Sequence, residues 1–407
     1  MFTFDEARTK ILEGVIRLAH ERVPLTDGAG RVLAEALVAA RPQPAFDYSA
    51  MDGYAVRVAD LGGEPRFRLR VGAVESRAGR AAPPLGAGET CRIFTGAAVP
   101  AGADAVVMQE EVAREGDVAV FAARPRPGAH VRVAGEDIRP GQLAIAEGTR
   151  LSPGHLGLAA SLDLGALVVA RRPKVAIVCT GDELRAPGTA AAAGPTAIPE
   201  SNSAALAALV RQAGGDVRVL PSVGDDLDAT AAAFAEAVAG ADLLVTVGGV
   251  SVGDHDVVRP ALERAGVILD FYKVAIKPGK PLAYGRCAAG GHTTRVLGLP
   301  GNPASALATF ALFGAPLLRA MQGDAAPVPL TLPVRLSAGV RHKPGRLELV
   351  RARLARDGRD LVAEPLPNQA SGATTSGGWA NALVFVPLEA GDVDAGSWLE
   401  ALRLADV

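Results

Sequence analysis

The pattern of apolar positions along the chain predicts different kinds of structure in succession. Residues 4–20 place apolar side chains at helical spacing, and Asp5 and Glu6 suit the first turn of a helix. Residues 66–145 instead carry short alternating runs separated by Gly and Pro, which predicts a small all-β unit. The runs expected to form its strands are 66–74, 90–94, 105–108 and 118–121.

Beyond Pro173 the pattern changes to apolar runs that alternate with helical segments. Ser201 and Asn202 are expected to cap the first of these helices. Such β-α alternation favours a three-layer α/β domain with a mainly parallel sheet, in which ligands bind beyond the carboxyl ends of the strands. Strands are predicted at 174–180, 217–223, 242–247 and 267–275, and helices at 201–213, 227–238, 255–264 and 303–321.

From about residue 327 the chain returns to alternating strands with Gly and Pro in the turns, which predicts a small C-terminal β-barrel or sandwich. The predicted fold class is therefore α/β multidomain, with a β-rich unit, a three-layer α/β domain and a C-terminal β-barrel or sandwich. The C-terminal strands are expected at 330–336, 347–354, 361–364 and 382–387.

No charged residue occurs between Arg295 and Arg319, and a stretch of this length could span a membrane. Its first third, however, contains Gly298, Pro300 and Pro303, which leave too short an apolar helix after them. We therefore predict a buried helix rather than a membrane span.

Composition narrows the class of protein further. A net charge of −2 over 407 residues gives no indication of binding to nucleic acid or to an anionic membrane. The three cysteines are an odd number without close pairing, which suits a reducing cytoplasm better than a disulfide scaffold or a zinc site. Charged residues from Asp5 to Glu13 leave no apolar segment of the secretory type, so no signal peptide is expected there.

Three polar motifs fall close together, at residues 248–256, 277–281 and 299–305. Glycines let backbone amides approach an anion, carboxylates can bind a hard cation, and lysines supply positive charge. Together the motifs are typical of a site that handles phosphate, a divalent metal and a second oxyanion.

Each motif alone also has a structural interpretation. Asp254 and Asp256 could cap the next helix or, with phosphate oxygens, bind Mg²⁺. Asn302 and Pro303 could simply begin a helix, although its free amides, with Ser305 nearby, could bind an anion.

Lys273, Lys277 and Lys280 lie on a predicted strand end and the turn after it. Exposed lysines are commonly solvated surface, but Pro278 and Gly279 fix this turn, which suggests oxyanion binding. The chain has no Walker-type Gly-Lys-Ser/Thr loop, which argues against nucleotide hydrolysis of that kind. The segments 47–55, 95–96 and 135–137 look structural unless folding brings them to the α/β domain.

In fixed order along nearly the whole chain, several motifs resemble the molybdopterin molybdenumtransferase family, to which the gephyrin E domain and its plant counterpart belong. Several motifs in order are far more specific than any one of them. Glu200-Ser201-Asn202 stands where the family has Asp-Ser-Asn, and residues 371–376 replace a Ser/Met-rich stretch. The motifs that carry the resemblance are 49–55, 95–96, 135–137, 180–184, 248–256, 277–281 and 299–305.

The resemblance implies an elongated four-domain subunit in a homodimer. The site would lie between the α/β domain of one subunit and the insertion domain of its partner. The implied domains are a helical/mixed dimerisation segment (1–45 plus 141–172), a β-rich insertion domain (46–140), an α/β molybdopterin-binding-like domain (173–325) and a C-terminal β-barrel domain (326–407).

The resemblance also implies roles for individual residues. Those that would serve the reaction itself are Asp52, Thr95, Asp137, Glu183, Asp225, Asp256, Lys273 and Lys277, of which Glu183, Asp225 and Asp256 would bind the metal. Those that would bind substrate are Gly248, Gly249, Ser251, Gly253, Lys280, Pro300, Asn302, Ser305, Arg351 and Ser376.

The implied reaction is the Mg²⁺-dependent insertion of molybdate into adenylylated molybdopterin, which gives molybdenum cofactor and AMP in the cytoplasm. Contact with the upstream adenylyltransferase could accompany it. One alternative is that the chain catalyses the preceding step, the adenylylation of molybdopterin with ATP, although the insertion domain and the barrel argue against it. The other is a gephyrin-like scaffold role, which the lack of a long linker or second catalytic domain disfavours.

Overall fold

The structure is a computed structural model that describes residues 1–63, 65–249, 257–289 and 291–407. The first helix of the chain buries Ala7 and Ile11, and a capping box at Thr3 stabilises its N-terminus. This helix ends at Leu12 rather than near residue 20, because Gly14 is left-handed (φ +60°) and the chain then forms a strand. The first elements are α1 (Phe4–Leu12), β1 (His20–Pro24) and β2 (Leu37–Val38).

The next part of the chain is the predicted β unit, and all four expected runs contain strands. Its six-stranded sheet has the order β7-β4-β6-β5-β9-β8 around a core that includes Tyr54, Leu69 and Phe121. The strands are β3 (Tyr48–Ser49), β4 (Gly53–Val56), β5 (Phe67–Val71), β6 (Glu89–Ile93), β7 (Ala105–Met108), β8 (Val112–Glu115), β9 (Val118–Phe121) and β10 (Val131–Arg132).

After the insertion the chain returns to the N-terminal elements. The strand β11 pairs with β2, and β12 pairs with β1, so one small unit is built from both sides of the insertion. Its core includes Leu33, Ile145 and Val169. The returning elements are β11 (Leu143–Ile145), α2 (Pro153–Ser161) and β12 (Ala166–Ala170).

The third part is an α/β unit with a sheet of order β16-β13-β17-β21-β20-β18. The first four strands are parallel, and an antiparallel hairpin and β18 complete one edge. The elements are β13 (Lys174–Cys179), β14 (Leu184–Arg185), α3 (Ala190–Ala193), β15 (Ile198–Pro199), α4 (Asn202–Gln212), β16 (Asp216–Val219), α5 (Leu227–Val238), β17 (Leu243–Val247), α6 (Val258–Arg264), β18 (Ile268–Lys273), β19 (Ile276–Lys277), β20 (Pro281–Ala289), β21 (His292–Leu299), α7 (Pro303–Thr309) and α8 (Ala315–Met321).

The last two helices form one continuous rod, because a π-helical turn at Phe310–Gly314 joins them. Pro303–Met321 is long and apolar enough to cross a membrane, but 83% of its most apolar window is buried inside the chain. The prediction of a buried helix is therefore confirmed.

The C-terminal part is a closed barrel. The strand β23 pairs with both β24 and β25, which closes a ring of order β23-β24-β22-β26-β25. The strand β19 of the preceding unit adds to β23 from outside the ring. With the mixed sheets this confirms the α/β multidomain fold. The elements are β22 (Leu332–Leu336), β23 (Leu347–Asp357), β24 (Asp360–Pro365), α9 (Thr374–Trp379), β25 (Ala382–Val386) and β26 (Trp398–Arg403).

Candidate functional site

The parallel strands of the α/β unit end at one edge of the sheet, and a cavity of about 1000 Å³ lies there. The loops after β13, β16, β17 and β21 all contribute to its wall, as expected for strand-end binding sites. We call it the strand-end cavity. Its lining residues are Thr180, Gly181, Glu183, Leu184, Ile198, Pro199, Ser201, Asn202, Asp225, Val247, Gly248, Gly249, Gly301, Asn302, Pro303, Gly372 and Thr374.

Two of the predicted motifs meet at Gly248. Its φ of +107° is left-handed, and an added Cβ would lie 2.5 Å from the carbonyl oxygen of Thr180. Gly301 approaches from the other motif, since a Cβ on it would lie 3.4 Å from the Gly248 Cα. Only small residues allow these loops to pack this closely, so the glycines give the cavity its wall.

The carboxylates of Glu183 and Asp225 both belong to the cavity lining and both residues are exposed. Neither forms an ion pair with another part of the chain that the structure describes. Asp182, which sequence reasoning did not single out, accepts a hydrogen bond at 2.9 Å from the backbone N–H of Asp225. It thereby fixes the loop that presents Asp225.

The donor set at this edge suits Mg²⁺, which proteins bind through one or two carboxylates together with substrate phosphates. Within residues 1–63, 65–249, 257–289 and 291–407 no group of three or more metal-ligating side chains occurs, and Glu183 and Asp225 are the carboxylates that line the cavity. The predicted residues Ser251, Gly253, Asp254 and Asp256 lie outside the described residues.

The helix α4 begins at the cavity but is not capped as predicted. Ser201 occupies the N-cap position without a side-chain hydrogen bond. Glu200 caps the helix instead, since its Oε1 accepts from the backbone N–H groups of Asn202 at 2.7 Å and Ser203 at 3.0 Å. The longer side chain of Glu200 extends forward to these amides, whereas Ser201 makes no such bond, and the side chain of Asn202 is free to donate to the carbonyl of Gly301 at 2.8 Å.

The capping role predicted for the side chain of Asn302 is also wrong. It stands at the N-cap of α7, but its side chain makes no capping bond there. Its Nδ2 donates at 3.0 Å to Oγ of Ser371, and the backbone N–H of Ala304 donates at 3.1 Å to the Ser371 carbonyl. These bonds join the α/β unit to the C-terminal part, and so Gly372 and Thr374 reach the cavity wall.

Several predicted site residues do not line the cavity, and two of them lie buried behind its wall. Pro300 is buried, and Ser305 is 3% exposed in the first turn of α7. Lys273 and Lys280 do not line the cavity. The ammonium of Lys273 lies 5.2 Å from the ring centroid of Tyr272.

Lys277 is fixed between two parts of the chain. Its Nζ lies 2.8 Å from Oε1 of Glu348, on the barrel strand β23. Lys277 does not line the strand-end cavity either. Sequence reasoning missed Glu348, because a lone Glu in a strand run gives no signal of the strand that will pair with it.

Arg351 and Ser376 are brought together inside the barrel domain. Nε of Arg351 donates to Oγ of Ser376 at 2.8 Å, and Nη2 donates to the carbonyl of Ala370 at 3.1 Å. Both residues are almost fully buried, and burial lowers the pKa of the Arg351 guanidinium. Neither lines the cavity, so their contacts here support the segment that carries Gly372 and Thr374.

Asp52 and Thr95 form a hydrogen-bonded pair within the insertion domain. The backbone N–H and the hydroxyl of Thr95 donate to Oδ1 of Asp52 at 2.7 and 2.8 Å. These bonds, the backbone one foremost, hold the pKa of Asp52 below its usual value. Asp137 is exposed, and none of the three residues lines the strand-end cavity of its own chain.

A second cavity, of about 1080 Å³, lies in the insertion domain and is lined by several arginines. Arg77 pairs there with Glu75, and Arg92 donates to the carbonyl of Gly53 at 2.9 Å. Because Arg77 and Arg92 are engaged by their own domain, whereas the loops after four parallel strands converge on the strand-end cavity, the strand-end cavity is the better candidate site.

The chain matches known proteins along nearly its whole length. Residues 2–162 match the MoeA N-terminal region (domain I and II), residues 176–320 a probable molybdopterin binding domain, and residues 333–404 the MoeA C-terminal region (domain IV).

Two curated relatives are named molybdopterin molybdenumtransferases. The chain is 38% identical over 398 residues to molybdopterin molybdenumtransferase 2 of Mycobacterium tuberculosis, with 94% of each chain covered. It is 36% identical over 326 residues to the Haemophilus influenzae enzyme, with 80% of this chain and 78% of that one covered.

Solved structures agree with these relatives. The molybdopterin biosynthesis MoeA protein of Pyrococcus horikoshii is 28% identical, with a TM-score of 0.85 over 99% of this chain and 100% of that one. From the match of the three regions and from these relatives, the chain belongs to the molybdopterin molybdenumtransferase family, whose members serve molybdenum cofactor biosynthesis.

Proposed function

We propose that the chain inserts molybdate into adenylylated molybdopterin and releases molybdenum cofactor and AMP. The observation that carries this proposal is the strand-end cavity, in which Glu183, Asp225 and the backbone at Gly248 surround a space of about 1000 Å³. A nucleotide-bearing pterin needs a large cleft with a few polar groups at fixed positions.

The phosphoanhydride of this substrate is the group that the cavity would orient. Gly248, which has no side chain, lets the phosphate oxygens approach the backbone. Asp225, held through Asp182, and Glu183 are the described residues that would hold Mg²⁺, and Mg²⁺ would supply positive charge to offset the phosphates when bound. Asp256 belongs to the same proposal from the family resemblance alone.

Molybdate is a dianion, so a second set of residues must offset its charge. Lys277 and Lys280 are exposed on one turn, and the ammonium of Lys277 is already fixed by Glu348. A fixed ammonium provides N–H donors without first losing side-chain freedom, and Lys280 adds net positive charge. The N-terminus of α7, whose first residue Pro303 lines the cavity, would add a partial positive charge, with Ser305 buried in its first turn.

A homodimer completes the proposal, because Asp52, Thr95 and Asp137 do not line the cavity of their own chain. A partner subunit would supply them across the interface. Apolar side chains near the root of the insertion domain remain exposed in the single chain, among them Val38 at 52% and Leu143 at 59%, which face each other on paired strands. Burying such a surface favours association.

A cytoplasmic location, and contact with the adenylyltransferase that makes the substrate, follow from the same proposal. The three cysteines are buried and free, which agrees with a reducing compartment. A substrate with a reactive anhydride gains from direct transfer between two enzymes.

The test is the release of AMP from adenylylated molybdopterin by the purified chain with Mg²⁺, with and without molybdate. We expect molybdate to stimulate the release and the product to activate a cofactor-free molybdenum enzyme. If the chain instead adenylylates free molybdopterin with ATP and shows no molybdate-dependent release, the proposal is wrong and the preceding step is its activity.

A further inference from the structure

The side chains of Lys277, Glu348 and His342 form a short chain of contacts at the junction of the α/β unit and the barrel. Oε1 of Glu348 lies 2.8 Å from Nζ of Lys277, and Oε2 lies 2.8 Å from Nδ1 of His342. Exposure falls steadily along the chain, since the side chains are 47%, 7% and 1% exposed in that order. A cation at the surface is thus connected to a fully buried imidazole through one carboxylate.

The backbone brings these side chains together. Lys277 and Glu348 are directly opposite each other in the parallel pairing of β19 with β23, and the N–H of Leu347 donates to the carbonyl of Ala275 at 2.9 Å. Opposite residues on paired strands project to the same face of a sheet. The contact is therefore set by strand register rather than by the chance orientation of two long side chains.

The turn after Lys277 is fixed as well. Gly279 has a φ of +111°, and a Cβ added there would lie 2.5 Å from Cγ2 of Thr309 on the core helix α7. The main chain at Lys277 therefore has little freedom on either side.

His342 determines how Glu348 is held. Its Nε2 is buried and has no hydrogen-bond partner. A buried N–H donor without an acceptor is costly, so the tautomer with its proton on Nδ1 fits best, and Nδ1–H then donates to Glu348. The backbone N–H of His342 is itself fixed by Oδ1 of Asp392 at 2.8 Å. Each oxygen of the buried carboxylate thus has a partner, as a buried charge requires.

We propose that Glu348, oriented by His342, is a positioning residue that holds the ammonium of Lys277 ready to bind an oxyanion. The inference rests on the proposed function and extends it by assigning a role in molybdate affinity to two residues of the barrel. The carboxylate occupies one N–H donor of Lys277 and leaves the other two for the ligand. The ion pair with Glu348 has no net charge, so it offers the dianion two N–H donors at a fixed position, and the exposed Lys280 on the same turn adds the net positive charge.

The experiment measures molybdate affinity in two ways. Equilibrium dialysis with inorganic molybdate gives the Kd of the pterin-free full-length chain, and AMP release gives kcat and the molybdate KM. We expect Glu348→Gln to raise Kd and KM together by about tenfold, the factor expected when a long side chain must be ordered upon binding, with kcat nearly unchanged. Unchanged affinity overturns the proposal, and so does tighter binding, which would mean that Glu348 only competes for the ammonium.

A double-mutant cycle separates positioning from a general structural effect. Lys277→Gln should weaken molybdate binding, and Glu348→Gln should add nothing further in that background if it acts through Lys277. Effects that multiply in the double variant would contradict the proposal. Asp360→Asn, which removes an ion pair with Arg335 in the same barrel, is the matched control and should leave molybdate affinity unchanged.

Glu348→Asp covers the case in which Glu348→Gln does not fold. It keeps the charge but withdraws the carboxylate by one methylene, so a raised Kd supports positioning and an unchanged Kd overturns it. The two assays also separate this inference from the proposed function. A chain that binds molybdate but releases no AMP refutes the function and leaves the positioning test intact.

Discussion

Polar side chains differ in exposure and in internal bonding between the strand-end cavity and the C-terminal barrel. In the cavity, Glu183 and Asp225 are exposed and form no ion pairs within the described chain. In the barrel, Arg351 and Ser376 are buried and bonded to each other. Polar groups without internal partners are available to a ligand, whereas buried, satisfied groups stabilise the shape of the wall.

The largest effect on activity should come from removing the exposed carboxylate of Asp225. Asp225→Asn removes a charge that would offset the metal and phosphates, and we expect AMP release to fall by roughly 100-fold or more. Stability should be unaffected because Asp225 is exposed. Asp228→Asn, on the neighbouring helix and outside the cavity, is the control and should retain full activity. Equal activity in the wild-type chain and in both variants would show that Asp225 is not part of the site.

In the barrel, we expect a substitution at a buried polar residue to lower the stability of the fold rather than the activity. Arg351→Met leaves Ser376 and the carbonyl of Ala370 without their donor, and we expect a loss of roughly 3 kcal/mol in the free energy of unfolding. Urea denaturation measures this directly. If stability were unchanged while the molybdate KM rose, Arg351 would be an oxyanion ligand and the contrast between the regions would fail.

A smaller effect is expected from the cavity wall. Gly248→Ala places a Cβ 2.5 Å from the Thr180 carbonyl, whereas Gly240→Ala meets no atom within 4 Å although its φ is also positive. Both variants pay for the left-handed backbone, so their difference isolates the steric clash. We expect Gly248→Ala to be the less stable by about 1–2 kcal/mol in urea denaturation. Equal stabilities would show that the loops are not tightly packed.

The smallest effect concerns Asp52 in the insertion domain. Because Thr95 lowers the pKa of Asp52, this carboxylate stabilises the fold above its unfolded pKa, and the contribution is lost as the pH falls through the folded pKa. Thr95→Val removes one of the two bonds, so the pKa of Asp52 should rise, as a carboxyl NMR titration would measure. An unchanged pKa would mean that the backbone bond alone sets it.

Local patterns in the sequence predicted much of this architecture. The strand runs of the α/β unit and the rule that ligands bind beyond strand ends predicted a site at this edge of the sheet, where Gly248 lies, whereas Glu183 and Asp225 were assigned to it by the family resemblance. Local signals fail where the partner of a side chain is chosen by tertiary structure. Ser201 has the composition of a helix cap, yet the adjacent Glu200 makes the bonds.

The same limit applies to contacts between distant parts of the chain. Asn302 would cap its own helix if the helix were isolated, but Ser371 of the next domain competes for its side chain. Lys277 was expected to be held by the prolines and glycine of its turn, and the ion pair with Glu348 depends on strand register that no local pattern encodes.

The most direct test of the central claim is a crystal structure of the Asp225→Asn variant with adenylylated molybdopterin. This variant should bind the substrate but cleave it too slowly to lose it during the experiment. The account predicts that the adenylyl phosphate lies in the strand-end cavity beside Gly248 and Glu183. A substrate bound only in the arginine-lined cavity of the insertion domain would contradict it.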